Sequence, residues 1–257
     1  MAYLRSFILE LYPNDINHIN NTVVISKSKD EKEIVEIDYD NLYQSRWFTF
    51  NNETRCIASL YSRLLPKFKT DNIQRIIIEC VEDKLKTTDI RQVDKYIHVQ
   101  VEFDSYKYFS VSKHERKKMI LNVLQRGIYL MANENNWDKQ IFQDTYQKII
   151  DLDYQNTYIY KRKRSPNRQY ICSIICKHEI SYFDIYLEIK NIKEDKVIRK
   201  ERLVRKDPHE LIYSMYLGNL YWKANHKVIY TDEFCKNVWT FLVHGSTVLT
   251  HKEDTVR

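Results

Sequence analysis

The sequence predicts an α+β fold. Its centre is an antiparallel four-stranded meander over about residues 157–206, packed with helices and joined to an N-terminal sheet and helix region. Two observations carry this. From Thr157 to Lys206, four short runs of β-branched and aromatic residues are separated by turn-like clusters. Before them, Ser112 and Glu115 form a capping box ahead of a long apolar stripe at helical spacing. No linker-like stretch interrupts the 257 residues, so one compact unit is expected, or two docked lobes, 1–151 and 152–257.

The elements follow in order. Residues 2–11 read as a strand. Thr22–Ser26 and Glu33–Asp38 read as a hairpin around the intervening charged turn. Trp47-Phe48-Thr49-Phe50 reads as a short aromatic strand. Glu53–Leu65 places Ile57, Leu60, Tyr61 and Leu64 on one helical stripe and must stop before Pro66. Ile73–Val81 is a buried strand by composition, Lys84–Asp94 a polar loop, and Tyr96–Phe103 an alternating strand.

Two helices come next. The first carries Ile120, Val123, Leu124, Gly127, Leu130 and Met131 inward and breaks at Asn133–Asn136. The second, Trp137–Ile150, carries Ile141, Phe142, Tyr146, Ile149 and Ile150. After the meander, Asp207-Pro208-His209-Glu210 reads as a helix start running to about Leu217, with Gly218 closing it. Lys227–Tyr230 reads as a strand and Asp232–Val243 as an amphipathic helix with Phe234, Val238 and Leu242 in register. The tail from His244 is polar and expected to fray.

Within the meander, strand alternation assigns faces. Phe183, Ile185, Leu187 and Ile189 share one face; Tyr182, Asp184, Tyr186, Glu188 and Lys190 share the other. Tyr170–His178 is apolar on both and reads as a central strand. Ser165-Pro166-Asn167 is turn chemistry, so Lys161, Arg162, Lys163, Arg164 and Arg168 are expected to cluster at one hairpin tip. Residues 157–206 hold 14 Lys and Arg against 6 Asp and Glu, while the rest of the chain holds 27 against 29. The basic character therefore belongs to the meander, and such a local excess attracts an anionic partner.

Composition removes several function classes. Three isolated glycines exclude a phosphate-binding loop or dinucleotide fingerprint, and no nucleophile elbow is present. No apolar run approaches the roughly 20 residues of a membrane helix, and the N-terminus lacks the layout of a secretory signal. Five scattered cysteines point to free thiols in a reducing cytoplasm. No cofactor and no membrane partner is expected, and the reading leans away from an enzyme.

Three constellations have both a chemical and a plainer explanation. Cys172, Cys176 and His178 share a strand face and are ligand types for zinc, yet no second ligand pair accompanies them; two small buried hydrophobes and a histidine explain them as well. Asp184, Glu188 and Lys190 are the residue types that hold the metal in metal-dependent nucleases. Asp184 and Glu188 nevertheless stand on one strand, about 13 Å apart by strand rise, where convergence on one metal needs neighbouring strands. The basic stretch with Tyr158, Tyr160 and Tyr170 suits a nucleic-acid patch over 158–170, or a solvated tip that discourages edge pairing. The remaining feature is surface. Tyr158, Tyr160, Tyr182 and Tyr186 beside lysines and arginines form the kind of face that binds an acidic protein surface.

Gly127-Ile128-Tyr129 with Trp137-Asp138, then Ser165-Pro166-Asn167-Arg168, Cys176-Lys177-His178, Pro208 and Tyr221-Trp222 form a set spanning about residues 113–225. In this set the chain resembles bacterial immunity proteins encoded beside polymorphic or contact-dependent toxins. The resemblance implies tight stoichiometric binding to a cognate toxin domain rather than catalysis.

Overall fold

The computed structural model describes residues 2–12, 22–26, 32–36, 39–82, 90–245 and 247–251. The chain divides into two compact units, Met1–Tyr154 and Gln155–Arg257. Helices concentrate in the first unit and antiparallel sheets in the second, so the α+β class holds. Among the described residues, no helix is long and apolar enough to cross a membrane.

The first unit is organised by a mixed sheet. Strands β1 (Ala2–Tyr3), β2 (Ser6–Leu11), β3 (Thr22–Ser26) and β4 (Lys32–Glu36) precede helices α1 (Tyr39–Glu53) and α2 (Arg55–Leu64). Then come β5 (Lys69–Thr70), β6 (Arg75–Val81), β7 (Arg91–Val93), β8 (Tyr96–Glu102), α3 (Ser105–Ser110), α4 (Lys113–Glu134) and α5 (Gln140–Asp151). The four-stranded sheet has the order β2-β6-β8-β7; β2, β6 and β8 are parallel, and β7 runs antiparallel at the edge. Register aligns Phe7, Ile76 and Ile97; Leu9, Ile78 and Val99; and Leu11, Cys80 and Val101, all buried. Helix α4 approaches this layer closely. A methyl at Gly127 would stand 2.7 Å from Ile78 Cδ1, so glycine lets the helix backbone lie against the sheet.

Helix α4 begins at the expected residue, with half of the capping box: Ser112 accepts from the Glu115 amide, while the Glu115 carboxylate pairs with Lys118 at 2.7 Å. Helix α2 ends at Leu65, whose extended backbone precedes Pro66. The aromatic run 47–50 is a correction. It lies in α1 and is not a strand. Trp47 and Phe48 are exposed, and Phe50 alone turns fully inward, against Phe103 and Tyr108. One turn on, buried Glu53 accepts from the Tyr108 hydroxyl (2.7 Å) and from Arg116 (3.0 Å), the i, i+3 partner that identifies a helical face.

The second unit contains the meander: β9 (Asn156–Arg164), β10 (Tyr170–His178), β11 (Phe183–Asn191) and β12 (Lys196–Lys206), in the order β12-β11-β10-β9, all antiparallel. A short α6 (Glu210–Tyr213) and a 3₁₀ turn, Ser214–Tyr216, lead to β13 (Leu220–Ala224), β14 (Lys227–Thr231), β15 (Asn237–Leu242) and β16 (Thr247–His251). These last four strands form a second antiparallel sheet. Its Leu220, Val228, Tyr230, Trp239 and Phe241 share a core with Cys172, Ile174, Cys176, Phe183, Ile185, Leu187 and Ile189 of the meander. The layer opposite the meander is therefore mainly a sheet.

Three expectations shift here. Asp232–Val243 is a turn and strand rather than a helix. Phe234 is exposed while Trp239, Phe241 and Val243 are buried at period two. The buried Asp232 carboxylate fixes the turn by accepting from the Lys236 and Asn237 amides and the Asn237 side chain. The tail continues past His244 into β16, paired with β15. The helix after the meander is capped by His209 instead of Asp207, since the Pro208 carbonyl is engaged by His178 Nε2 at 2.9 Å.

Gly218 lies where its backbone meets the carbonyls of Thr231 and Asp232, and any Cβ would collide with them. Gly218→Ala is expected to destabilise the second unit by about 3 kcal/mol or more, because backbone must move. Gly127→Ala is expected to cost less, about 1–3 kcal/mol, since the obstacle is the Ile78 side chain rather than backbone and alanine favours helix. Urea unfolding with hydrogen exchange resolved by unit measures both; wild-type stability for Gly218→Ala would refute the close approach.

Candidate functional site

The face of the meander turned away from the second sheet is a grid set by register. Thr157, Lys177, Asp184 and Arg205 align across the four strands in one row. Ile159, Ile175, Tyr186 and Arg202 form the next row, then Arg162, Ser173, Glu188 and Lys200, then Arg164, Ile171, Lys190 and Val197. Cations stand on the two outer strands and at the ends of the inner two. Isoleucines, Tyr186 and two carboxylates occupy the middle.

Asp184 organises one end of the grid. Its carboxylate has no exposed surface. Arg205 donates Nε–H to Oδ1 and Nη2–H to Oδ2, each at 2.7 Å, a bidentate pair. The Tyr186 hydroxyl donates to Oδ2 at 3.0 Å. The Arg205 guanidinium also lies 3.9 Å from the centroid of the Tyr182 ring. Burial pushes the Asp184 carboxyl up, but the hydrogen bonds from Arg205 and Tyr186 and the charges of Arg205 and Arg202 outweigh it. The net result lies below the usual carboxylate range. Burial, then the Asp184 hydrogen bond, raises the Tyr186 phenol.

The other polar groups of the face are engaged separately. Glu188 pairs with Lys200 at 3.3 Å and Lys190 with Asp195 at 2.5 Å. Lys177 reaches Glu179 at 3.3 Å. Asp184, Glu188 and Lys190 thus do not meet at one point.

A bulge just before the basic run of β9 sets the phase in which its residues alternate. Ile159 pairs with Ile175, but Lys161 pairs with Ile174, so Tyr160 is extra and the alternation changes phase. Tyr158 and Tyr160 pack against the core shared by the two sheets, and the Tyr160 hydroxyl donates to the Leu217 carbonyl at 3.2 Å. Lys161 and Lys163 follow on that inner side. Lys161 donates to Asn219 Oδ1 at 3.0 Å, and the Lys163 carbonyl accepts from Trp222 Nε1–H at 3.0 Å. Arg162 and Arg164 alone of the four belong to the outer grid. Arg168 stands apart in the turn, at φ 60°.

Cys172, Cys176 and His178 lie on the inner face, buried. The two thiols lie about 13 Å apart by strand rise, opposite Ile189 and Ile185. Burial pushes the Cys172 thiol up, disfavouring the thiolate. His178 packs against Phe183 and Tyr213. Among the described residues, no group of three His, Cys, Asp or Glu side chains converges to hold a metal ion.

Sequence reasoning missed Ile159, Ile171, Ile175, Lys200, Arg202 and Arg205 as members of this face. Carrying the alternation of β11 across its turns into both neighbours would have reached most of them. The two bulges that shift β12, near Val204 and near Arg199, leave no comparable mark in the sequence.

Losing Arg205 would leave Asp184 buried with weaker partners, so Arg205→Met is expected to lower the thermal midpoint of the second unit by roughly 5–10 °C. Because the folded Asp184 pKa is depressed, its contribution is present above the unfolded value of about 4 and is lost as pH falls through the folded value. Asp184→Asn should flatten that acid limb in urea midpoints taken across it; an unchanged slope would refute the assignment.

No protein-family model, curated protein or solved structure matches this chain.

Proposed function

We propose that the chain is a non-enzymatic binding protein that sequesters a protein partner on the outer face of the meander. The observation that supports it most is the arrangement of that face: isoleucines and Tyr186 in the middle, beside two carboxylates that are already paired with cations, and further cations around them. Protein interfaces combine an apolar core depleted of charge with a polar rim. Most of the cations belong to β9 and β12, about 14 Å apart across three strand spacings, with Lys177 and Lys190 at the ends of the strands between. A nucleic-acid backbone favours a continuous cationic track along its path instead.

The resemblance of residues 113–225 to immunity proteins makes the reading specific. The partner would be a toxin domain with an acidic surface, neutralised by stoichiometric binding in the cytoplasm. The local positive excess of the meander would speed its capture.

The test is recovery of the tagged chain from its native host at high salt, reading bound protein and nucleic acid together. One stoichiometric protein is expected, whose expression alone arrests growth and whose co-expression with this chain restores it. Ile175→Lys, which puts a charge into the apolar middle, should abolish both capture and protection while the fold persists by circular dichroism. Nucleic acid that dissociates as salt rises, with no protein bound, would overturn the proposal in favour of nucleic-acid binding.

A further inference from the structure

The second row of the outer grid, Ile159–Ile175–Tyr186–Arg202, runs from an apolar end to a cationic one. Ile159 is 45% exposed and the Arg202 side chain 47%. Arg202 approaches Asp184 Oδ2 only at 4.0 Å, because the bidentate Arg205 pair and the Tyr186 hydroxyl already engage that carboxylate. Among the described residues, no other carboxylate is paired with it. Lys200, half exposed, stands on the same strand with its ammonium 5.9 Å from the centroid of the Tyr186 ring. Arg202, Arg205 and Lys200 thus share two carboxylates, Asp184 and Glu188, and the local balance is cationic.

We infer that Arg202 is the charge anchor of this face, taking a carboxylate of the partner, while the adjoining Tyr186, Ile175 and Ile159 seat an apolar side chain next to it. The occupant is an acidic, amphipathic protein segment. A planar guanidinium with uncommitted donors suits bidentate pairing with a carboxylate. The tyrosine beside it supplies the stiff aromatic wall found at interface hot spots. Phosphate would also satisfy Arg202, but the three residues next to it in the row are two isoleucines and a tyrosine, and the following row brings Glu188. That setting favours a segment in which acid and apolar groups alternate. This assignment rests on the reading of the outer face as a protein-binding surface.

The experiment uses the purified full-length chain and a fluorescein-labelled peptide of alternating glutamate and leucine, with anisotropy as readout. Controls are the glutamine–leucine peptide and a labelled single-stranded oligothymidylate. The acidic peptide is expected to bind at least about tenfold more tightly than the glutamine peptide, the loss of one charged hydrogen-bonded contact. Arg202→Gln should remove that difference with only a small fall in the unfolding midpoint, because Arg205 and Tyr186 still hold Asp184, and Lys193→Gln, at the distant β11–β12 turn, should leave the difference intact. Equal binding of both peptides, tighter binding of the oligothymidylate, or an unchanged difference in Arg202→Gln would overturn the anchor. Two results separate this inference from the proposed function. A host partner retained by Arg202→Gln would sink the anchor alone. Selective peptide binding with no host partner would uphold the anchor and sink sequestration.

Discussion

A strand hands its side chains to two faces in turn, and the second unit depends on that constraint being met twice at once. On the inner face, each of the two central meander strands must deliver an unbroken apolar set to the second sheet. Cys172, Ile174 and Cys176 do so on β10, and Phe183, Ile185, Leu187 and Ile189 on β11, against Val228, Tyr230, Trp239 and Phe241. On the outer face the intervening residues are released from packing and can be polar. Asp184 is the exception that ties the two together. It is outer by register yet fully buried: Arg205 and Tyr186 bond to it, and the Tyr182 ring lies against Arg205. An isolated buried carboxylate would be strongly unfavourable; a bidentate guanidinium and a hydroxyl make it tolerable and fix the register of β11 against β12.

Bulges then decide where charge goes. The extra residue at Tyr160 keeps two consecutive side chains, Tyr160 and Lys161, on the inner side, and Lys163 follows them. Alternation shares the four-residue basic run between the faces, and the bulge decides that Arg162 and Arg164 are the outer pair. Two residues frame the outer grid, and two border β13 near Asn219 and Trp222. On β12, Arg199 turns inward to donate to the Leu242 carbonyl and lie over Phe241, while Lys200, Arg202 and Arg205 stay outside. The positive excess of the meander belongs to the composition, but which cations surround the isoleucines and Tyr186 of the outer face follows from these phase changes.

The first unit meets a different constraint. Its parallel strands place Ile76, Ile78 and Cys80 between two neighbours, and β6 is buried along nearly its whole length. A buried strand of this kind needs a helix layer at close range, and Gly127 supplies the approach. The Tyr61 hydroxyl, pushed up in pKa mainly by burial, lies 2.9 Å from Gln125 Oε1 and 3.1 Å from the Phe142 carbonyl, so α2, α4 and α5 are joined by a polar contact inside an apolar core.

The sequence by itself determined the elements whose signals are local. The Ser112 cap, the stop before Pro66, the turn at Ser165–Asn167 and the alternation of β11 all act within a few residues, and each is found in place. Where two periods compete, local signals fail. Phe234, Val238 and Leu242 fit a helical stripe, yet Trp239 and Phe241 bury at period two because a sheet is waiting for them. The run 47–50 is aromatic enough for a strand, yet Phe50 and Glu53 act as one helical face because Tyr108 and Arg116 are there to receive them. The candidate site divides the same way. Tyr182, Asp184, Tyr186, Glu188 and Lys190 were legible from one strand's alternation. Arg202, Arg205 and the isoleucines joined them only through register and bulges, which are set by pairing across strands and leave no mark in the order of residues along any one of them.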